Sequence, residues 1–551
     1  MRFGNNITPY PKQLKTQSEK VMSNNNTQHQ DQQNYILALD NGTQSIRALL
    51  FDLKGQLVAK SKVEIEPYFS KQPGWAEQEP AYYWEMLAKT CNELWPELEL
   101  LNIKKSQIKG VSLTCQRATM VNLDKQGIPL RPAFVWLDQR EQNTLDKMSW
   151  YWRLLFILAG EKSTVDYFRK QSEANWIKHH QPDIWKNTHK FMLLSGFHSF
   201  KLTGNYVDSI SSQVGYLPFD FKNHTWCKPS DWRWQALPIT REMLPELVPC
   251  GQELGTISEQ ASSDTGIPCG LPLISAGSDK ACEVLGSGCL TPQMGSLSYG
   301  TTATYNTTNT KYVEAIKSSP AYPAAMPNVY NTEIIVPRGY WMVSWFKREF
   351  GLKEQQIAEK EGVIVESLFD DLLKQVPAGS MGLVLQPYWN PGIRKPGPEA
   401  KGAIIGFGDV HTRAHIYRAI IEGIGYALRE GKELSEQKSG VNITKLMVSG
   451  GGSQSDQVMQ ITADIFGMPA QRPHTFETSG LGAAINAAVG IGLYDNYENA
   501  IENMTHAGDI FMPIESNTKL YDTLYQEVYK KMYSRLSPLY KAIRKITGYP
   551  K

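Results

Sequence analysis

The spacing of apolar and polar positions changes several times along the chain, and each change marks an element. From Tyr35 the run YILALD is apolar and ends in a carboxylate. NGTQS interrupts it, IRALLFD is apolar again, and after DLKG the stretch QLVAKSKVEI alternates. This pattern predicts three strands in an antiparallel meander, with an Asn-Gly turn between the first two. Pro80 opens a predicted helix that continues to Trp95, and IKGVSLTCQ from Ile108 reads as another strand. The second half repeats the theme. GSLSYGTTATYNTT predicts two short strands around a Gly-Thr turn. Ile416, Ile420, Ile424 and Leu428 share one face of a helix expected from His411 to Gln437. TKLMVSGGGS is then a strand running into three glycines, and DQVMQITADIFG a helix.

Two halves with this likeness predict two α/β domains facing a cleft, where ligands commonly sit. The boundary is expected between Leu290 and Gly295, giving domains at 34–290 and 291–545 behind a leader at 1–33. The leader is rich in Asn, Gln, Lys and Ser and lacks the apolar core of a signal peptide, so it reads as disordered. WYWRLLFILAG from Trp150 is too short for a membrane span and contains Arg153; a buried or half-buried helix is expected there.

Composition narrows the class. At 551 residues the chain exceeds one ordinary core. A net charge of +2, with no long basic run, points away from nucleic acid and from an acidic membrane surface. The seven cysteines are scattered without a CxxC pair, which argues against a disulfide framework or zinc site and for a reducing cytoplasm. The histidines fall into no metal-ligand spacing. His179 and His180 are expected in solvent, and His415 in packing.

Several segments carry candidate chemistry. Asp40 ends a strand at the mouth of the turn that holds Gly42, Thr43 and Ser45. A glycine free to adopt positive φ, flanked by hydroxyls, can present N–H groups to a phosphate, and Asp40 can hold the accompanying Mg²⁺. Gly300 and Thr301 repeat that arrangement, so two loops could clamp one polyphosphate. Gly450, Gly451 and Gly452 lie between strand and helix, where a flat ring can approach the backbone; the spacing is neither GxGxxG nor a Walker loop. Asp279, after the strand LPLI, is either a helix N-cap or a general base for a sugar hydroxyl. Gln116 and Arg117, with Asp138 and Arg140, suit a polyhydroxylated ligand, and Trp75 or Trp136 could stack on its apolar face. Salt bridges and loop packing are the plainer reading of Asp138 and Arg140.

In this order, LALDNGTQSIRALLFD, QPGWAEQEP, VWLDQRE, LTGNYVDSISSQ, SAGSDKACEVLGSG, LSYGTTA, PYWNPGIRKPGPEAKGAIIGF, HTRAHIYRAIIEGIGYAL, VSGGGSQSDQVMQITADIFGMPAQRP and ETSGLGAAINAAVG resemble the FGGY family of carbohydrate kinases. The resemblance spans about residues 35 to 540. It implies an α/β fold of two ribonuclease-H-like, actin-like ATPase domains around a central cleft for ATP and substrate. It implies ATP-dependent phosphorylation of a hydroxyl on a small sugar (a pentulose or other ketose) or polyol, with ATP and Mg²⁺ as cofactors; the assembly stays open, with a homodimer as one option. The alternative is a non-catalytic or degenerate ATP-binding regulator or ATPase of the same superfold. The implied roles are Asp279 as catalytic base and Asp40 at the metal. Gly42, Thr43, Gly300, Thr301, Gly451 and Ser455 would lie at ATP, and Gln116, Arg117, Asp138 and Asp279 at the substrate. Two departures bear on the acceptor. Ala118 stands where the glycerol-kinase pattern has an acid after the Gln-Arg pair, and Lys280 stands where glutamine or asparagine usually follows the base. An ammonium there would favour ionised Asp279 or would contact substrate.

Overall fold

The computed structural model describes residues 33–390, 392 and 396–549. Nearly all of the expected leader, and part of PYWNPGIRKPG, lie outside the described residues. The first sheet contains β1 (Tyr35–Asn41), β2 (Ser45–Asp52), β3 (Leu57–Glu64), β4 (Ile108–Cys115), β5 (Glu253–Thr256) and β6 (Pro272–Ser278). Its order is β5-β6-β4-β1-β2-β3. The meander β1-β2-β3 is antiparallel, whereas β4 runs parallel to β1, and β6 parallel to β4. The connecting segments include helices α1 (Pro80–Leu100), α2 (Trp150–Leu158), α3 (Leu194–Thr203) and α4 (Asp279–Gly286).

Burial on both faces explains why β1 is apolar throughout. Leu37 and Leu39 pack with Tyr83, Leu87 and Leu94 of α1 and with Phe197 of α3. Ile36 and Ala38 point the other way, since successive side chains alternate across a strand.

The second sheet holds β7 (Met294–Tyr299), β8 (Ala303–Asn309), β9 (Tyr322–Pro323), β10 (Tyr330–Val336), β11 (Lys445–Ser449), β12 (Ala470–Pro473) and β13 (Ala507–Phe511). Its order is β9-β10-β8-β7-β11-β12-β13. Here too three antiparallel strands, β7-β8-β10, adjoin parallel β11 and β12. The likeness between the halves is therefore one of topology. Helices α5 (Trp341–Phe350), α6 (Arg413–Ser439), α7 (Asp456–Phe466), α8 (Thr478–Gly490) and α9 (Tyr497–Met504) belong to this half of the sequence. Ile420, Ile424 and Leu428 of α6 lie in its core, with Ile416 partly buried against it.

Two features depart from the sequence reading. Leu481, Ala484, Ile485 and Ala488 of α8 pack with Ile36, Phe51, Ile274 and Leu285, so a helix from the second half covers one face of the first sheet. Helix α2 has no buried residue, with Trp150 75% and Leu158 74% exposed. Its stacked Trp152 and Phe156 are half-buried, and Phe156 also meets Trp232 edge-on. An apolar run states that a surface prefers cover; only tertiary packing provides it.

Candidate active site

Three parallel strands set the site. β1, β4 and β6 are neighbours running in one direction, so their C-terminal ends reach the same sheet edge, where α/β folds generally bind ligands. Asp40 comes from the end of β1, Gln116 and Arg117 follow β4, and Asp279 follows β6. Gln116 N–H donates to the Asn41 carbonyl at 2.9 Å, and Thr114 Oγ1 to the Gly277 carbonyl at 2.9 Å, which pins the three ends together.

Asp40 is only 3% exposed, and Arg47 donates to its Oδ2 at 3.0 Å. Arg47 also reaches Glu477 at 3.2 Å, on the segment leading into α8. Burial pushes the Asp40 carboxyl up to about 6 against the pull of Arg47, and Asp279 adds to the rise. Asp279 is the first residue of α4, with Ser278 in the N-cap position. Its Oδ1 accepts the Lys280 N–H at 2.7 Å. Burial raises its pKa as well, and the nearby charges of Arg117 and Lys280 offset this only in part. The lysine therefore does not prevail over desolvation. Its Nζ is occupied, donating to Glu283 Oε2 at 2.7 Å and to Ser298 Oγ on β7 at 2.8 Å.

The turn after β1 is braced from behind. Gly42 N–H donates to the Ser45 carbonyl at 3.1 Å. The φ of Gly42 is not positive, contrary to the expectation; a Cβ there would instead crowd the Ser45 carbonyl at 3.3 Å. Thr43 Oγ1 donates to Gln116 Oε1 at 2.9 Å and accepts from Trp136 Nε1 at 2.9 Å. Gln116 Nε2 in turn donates to the Tyr83 hydroxyl at 3.1 Å. A buried residue absent from the sequence reading, His198, completes the brace through Asn41 of the predicted turn. His198 Nε2 lies 2.8 Å from Asn41 Oδ1, and Asn41 Nδ2 donates to the Gly42 carbonyl at 3.0 Å. Burial drives the His198 pKa down to about 3, so its ring is neutral.

Asp138 is committed internally. It accepts the Ala76 N–H at 2.7 Å and forms an ion pair with Arg140 at 2.6 Å. The Arg140 guanidinium also lies 4.1 Å from the Trp75 ring centroid, so that face of Trp75 is covered, whereas Trp136 remains exposed beside Thr43.

The second sheet supplies the facing wall. β7 and β11 are parallel neighbours, and their ends deliver Gly300-Thr301 and the glycine triplet. The carbonyls of Gly300 and Thr301 accept N–H groups of Tyr340 and Trp341 at 3.2 Å each, seating this turn on the start of α5. In the triplet, Gly450 takes the positive φ, at 82°, against the Tyr299 backbone. A Cβ on Gly452 would lie 2.2 Å from the Tyr340 ring, whereas one on Gly451 would meet nothing within 4 Å. The open face is thus at Gly451. Ser455 caps α7, its Oγ accepting Val458 N–H at 3.1 Å and donating to Asp370 at 2.5 Å.

The two walls are joined by polar bonds. Besides Lys280–Ser298, Ser449 Oγ on β11 donates to Glu283 Oε1 at 2.7 Å. Arg117 binds Glu333 on β10 through two bonds, of 2.8 and 3.0 Å. Glu283, Glu333, Ser298 and Ser449 were not legible as site residues, because nothing in their local sequence marks them.

This arrangement of paired β-sheets with facing loops is a two-domain actin-like ATPase fold. The sequence profile described as the FGGY family of carbohydrate kinases, N-terminal domain, matches residues 35–286, and that of its C-terminal domain residues 295–491. An uncharacterised sugar kinase of Escherichia coli (strain K12) is 30% identical over 505 residues, covering 90% of this chain and 93% of that protein. The xylulose kinase of Lactococcus lactis is 28% identical over 516 residues, covering 92% and 97%. Among solved structures, the gluconate kinase of Lactobacillus acidophilus superposes with a TM-score of 0.74 at 20% identity, covering 94% of this chain and 99% of that one. The chain belongs to the FGGY family of carbohydrate kinases. It is an ATP-dependent phosphotransferase with an alcohol group of a small sugar or polyol as acceptor. Among the described residues no helix is long and apolar enough to cross a membrane.

Proposed function

We propose that Asp279 is the general base of this kinase and that its acceptor is a pentulose, another small ketose or a polyol. The observation that carries the reading is the delivery of Asp40, Arg117 and Asp279 to one sheet edge by β1, β4 and β6. A sugar hydroxyl is a poor nucleophile, and a carboxylate in hydrogen-bond reach accepts its proton as the phosphoryl group moves. Arg117 and the exposed face of Trp136 orient the acceptor, while Gln116 and Asp138 act through the residues they hold. Gly42, Thr43, Gly300 and Thr301 line the phosphate path, with the Thr43 hydroxyl turning away from Gln116 to donate to a phosphate oxygen. Gly451 and the Ser455 turn take the adenosine.

Asp40 fits Mg²⁺. It is a buried carboxylate at the loop edge and would hold the ion together with the nucleotide phosphates and water. Among the described residues no group of three or more His, Cys, Asp or Glu is disposed to hold a metal ion, which suits an ion shared with a nucleotide. When bound, the ion neutralises charge on the phosphate oxygens. The proposal extends to a cytoplasmic location, supported by seven free cysteines of which six are buried. It also includes a homodimer, supported by the apolar side chains that α2 leaves exposed in the single chain. Sedimentation velocity tests the assembly.

The test of activity is ADP release with MgATP against a panel of ketoses, polyols and sugar acids. Acceptor-dependent release supports the reading. Turnover that ignores every acceptor would point instead to an ATPase.

A further inference from the structure

Arg117 and Lys280 are the two cations whose fields act on Asp279 from the same sheet edge. Each already has a carboxylate partner: Glu283 for Lys280, and Glu333 for Arg117. The second pair crosses the cleft. Glu333 stands on β10 of the second sheet, opposite Asn306 of β8, and is 216 residues from Arg117 in sequence. Its side chain is 1% exposed, while that of Arg117 is 18% exposed and lies 5.4 Å from the Tyr322 ring centroid. The carboxylate thus sits behind the guanidinium, and the arginine keeps the accessible edge. Of five N–H donors, two are used in the pair, and the rest remain for an acceptor's oxygens.

We infer that Glu333 is a specificity-determining residue: by holding Arg117 as a neutralised pair from across the cleft, it selects uncharged ketoses and polyols and rejects sugar acids. The inference rests on the reading above, in which Arg117 faces the acceptor. An uncharged acceptor needs only donors and acceptors of hydrogen bonds, and the outer edge of Arg117 supplies donors without net charge. The carboxylate of an aldonate would have to compete with Glu333 for a guanidinium already satisfied by two charge-assisted bonds. It would also bring a third negative charge beside Glu333 and Asp279, and like charges in a desolvated site are strongly unfavourable. Ala118 sharpens the point, because no acid follows the Gln-Arg pair within the loop; the acidic group at this loop arrives from the other sheet.

The experiment compares kcat/KM for D-xylulose, glycerol and D-gluconate in the wild type and in Glu333→Gln, which keeps the shape and removes the charge. The wild type is expected to prefer the better uncharged acceptor over gluconate by roughly 100-fold or more, in line with an unfavourable buried charge contact. Glu333→Gln is expected to reduce that ratio at least about tenfold, with activity on gluconate rising in absolute terms. Equal losses on all acceptors, leaving the ratio unchanged, would make Glu333 purely structural and overturn the inference while leaving the kinase reading intact. A wild type that prefers gluconate overturns it outright. ADP release that ignores every acceptor removes the acceptor reading, and the inference with it. If Glu333→Gln does not fold, Glu333→Asp, which keeps the charge but shortens the reach, must preserve the wild-type ratio, or the inference fails.

Discussion

Lys280 Nζ donates to Ser298 Oγ at 2.8 Å, tying the helix that begins at Asp279 to the first strand of the second sheet. The same ammonium pairs with Glu283, which Ser449 holds from the neighbouring strand. Both burial and position make this a clamp on the base. Lys280→Met is expected to lower stability by about 3–5 kcal/mol, because it leaves a buried carboxylate without its counter-charge. It should lower kcat more than it raises the KM for ATP. Urea unfolding and steady-state rates check this, and adding Glu283→Gln should restore part of the stability.

Removing the base itself separates chemistry from binding. Asp279→Asn is expected to cut kcat by about 10²–10⁴-fold, the usual worth of general base catalysis, with the Kd for ATP within about threefold of wild type. A variant that turns over at the wild-type rate would show that another group takes the proton.

The glycine triplet gives a paired contrast. A Cβ on Gly451 meets nothing within 4 Å, whereas one on Gly452 lies 2.2 Å from the Tyr340 ring. Gly451→Ala is therefore expected to fold with an unchanged Tm and to bind ATP more weakly, because the methyl occupies space left for the nucleotide. Gly452→Ala is expected to lower the Tm, since overpacking costs about 1–3 kcal/mol. Scanning calorimetry and nucleotide titration distinguish the two.

The crossing of α4 and α8 depends on two glycines. A Cβ on Gly286 would stand 2.0 Å from the Thr478 carbonyl oxygen, and one on Gly482 1.9 Å from that of Cys282. Both obstacles are backbone, so neither can swing aside. Gly482→Ala is expected to destabilise the protein by at least about 1–3 kcal/mol and to depress activity by shifting α4, which carries Asp279. Wild-type stability in that variant would mean the helices separate freely.

His198 predicts a dependence on pH. Its folded-state pKa is about 3, below the 6.5 of the unfolded chain. Between these values the unfolded chain binds a proton that the folded protein refuses. The residue's contribution is intact above pH 6.5 and is lost as pH falls, by about 1.4 kcal/mol per pH unit. Asp208 titrates in the opposite sense, since burial raises it to about 7, so the wild-type profile alone is uninformative. The difference between wild type and His198→Gln isolates the term: any advantage of the wild type at pH 7 should shrink steadily toward pH 4. A constant difference would mean that His198 ionises in the folded state.

Much of the fold was legible in the sequence. The meander from Tyr35, the strand at Ile108, the hairpin around Gly300 and the helices after His411 and Gly452 were found where their periodicity placed them, with ends displaced by a few residues. Hydrogen bonding and side-chain alternation within a strand or helix are local, so local sequence encodes them. The strand ends carrying Asp40, Gln116 and Asp279 were legible for the same reason.

The partners of those groups were not. Arg47 meets Glu477 across 430 positions and Arg117 meets Glu333 across 216. Neither acid differs in its neighbourhood from an ordinary surface glutamate. Trp75 and Trp136 were equal candidates in sequence, yet Arg140 covers one and leaves the other open. The sequence by itself determined the elements, the glycine-bearing turns and the family. Tertiary structure decided which charges are paired, which ring is free and which acid stands behind Arg117, because those depend on contacts between segments that only folding brings together.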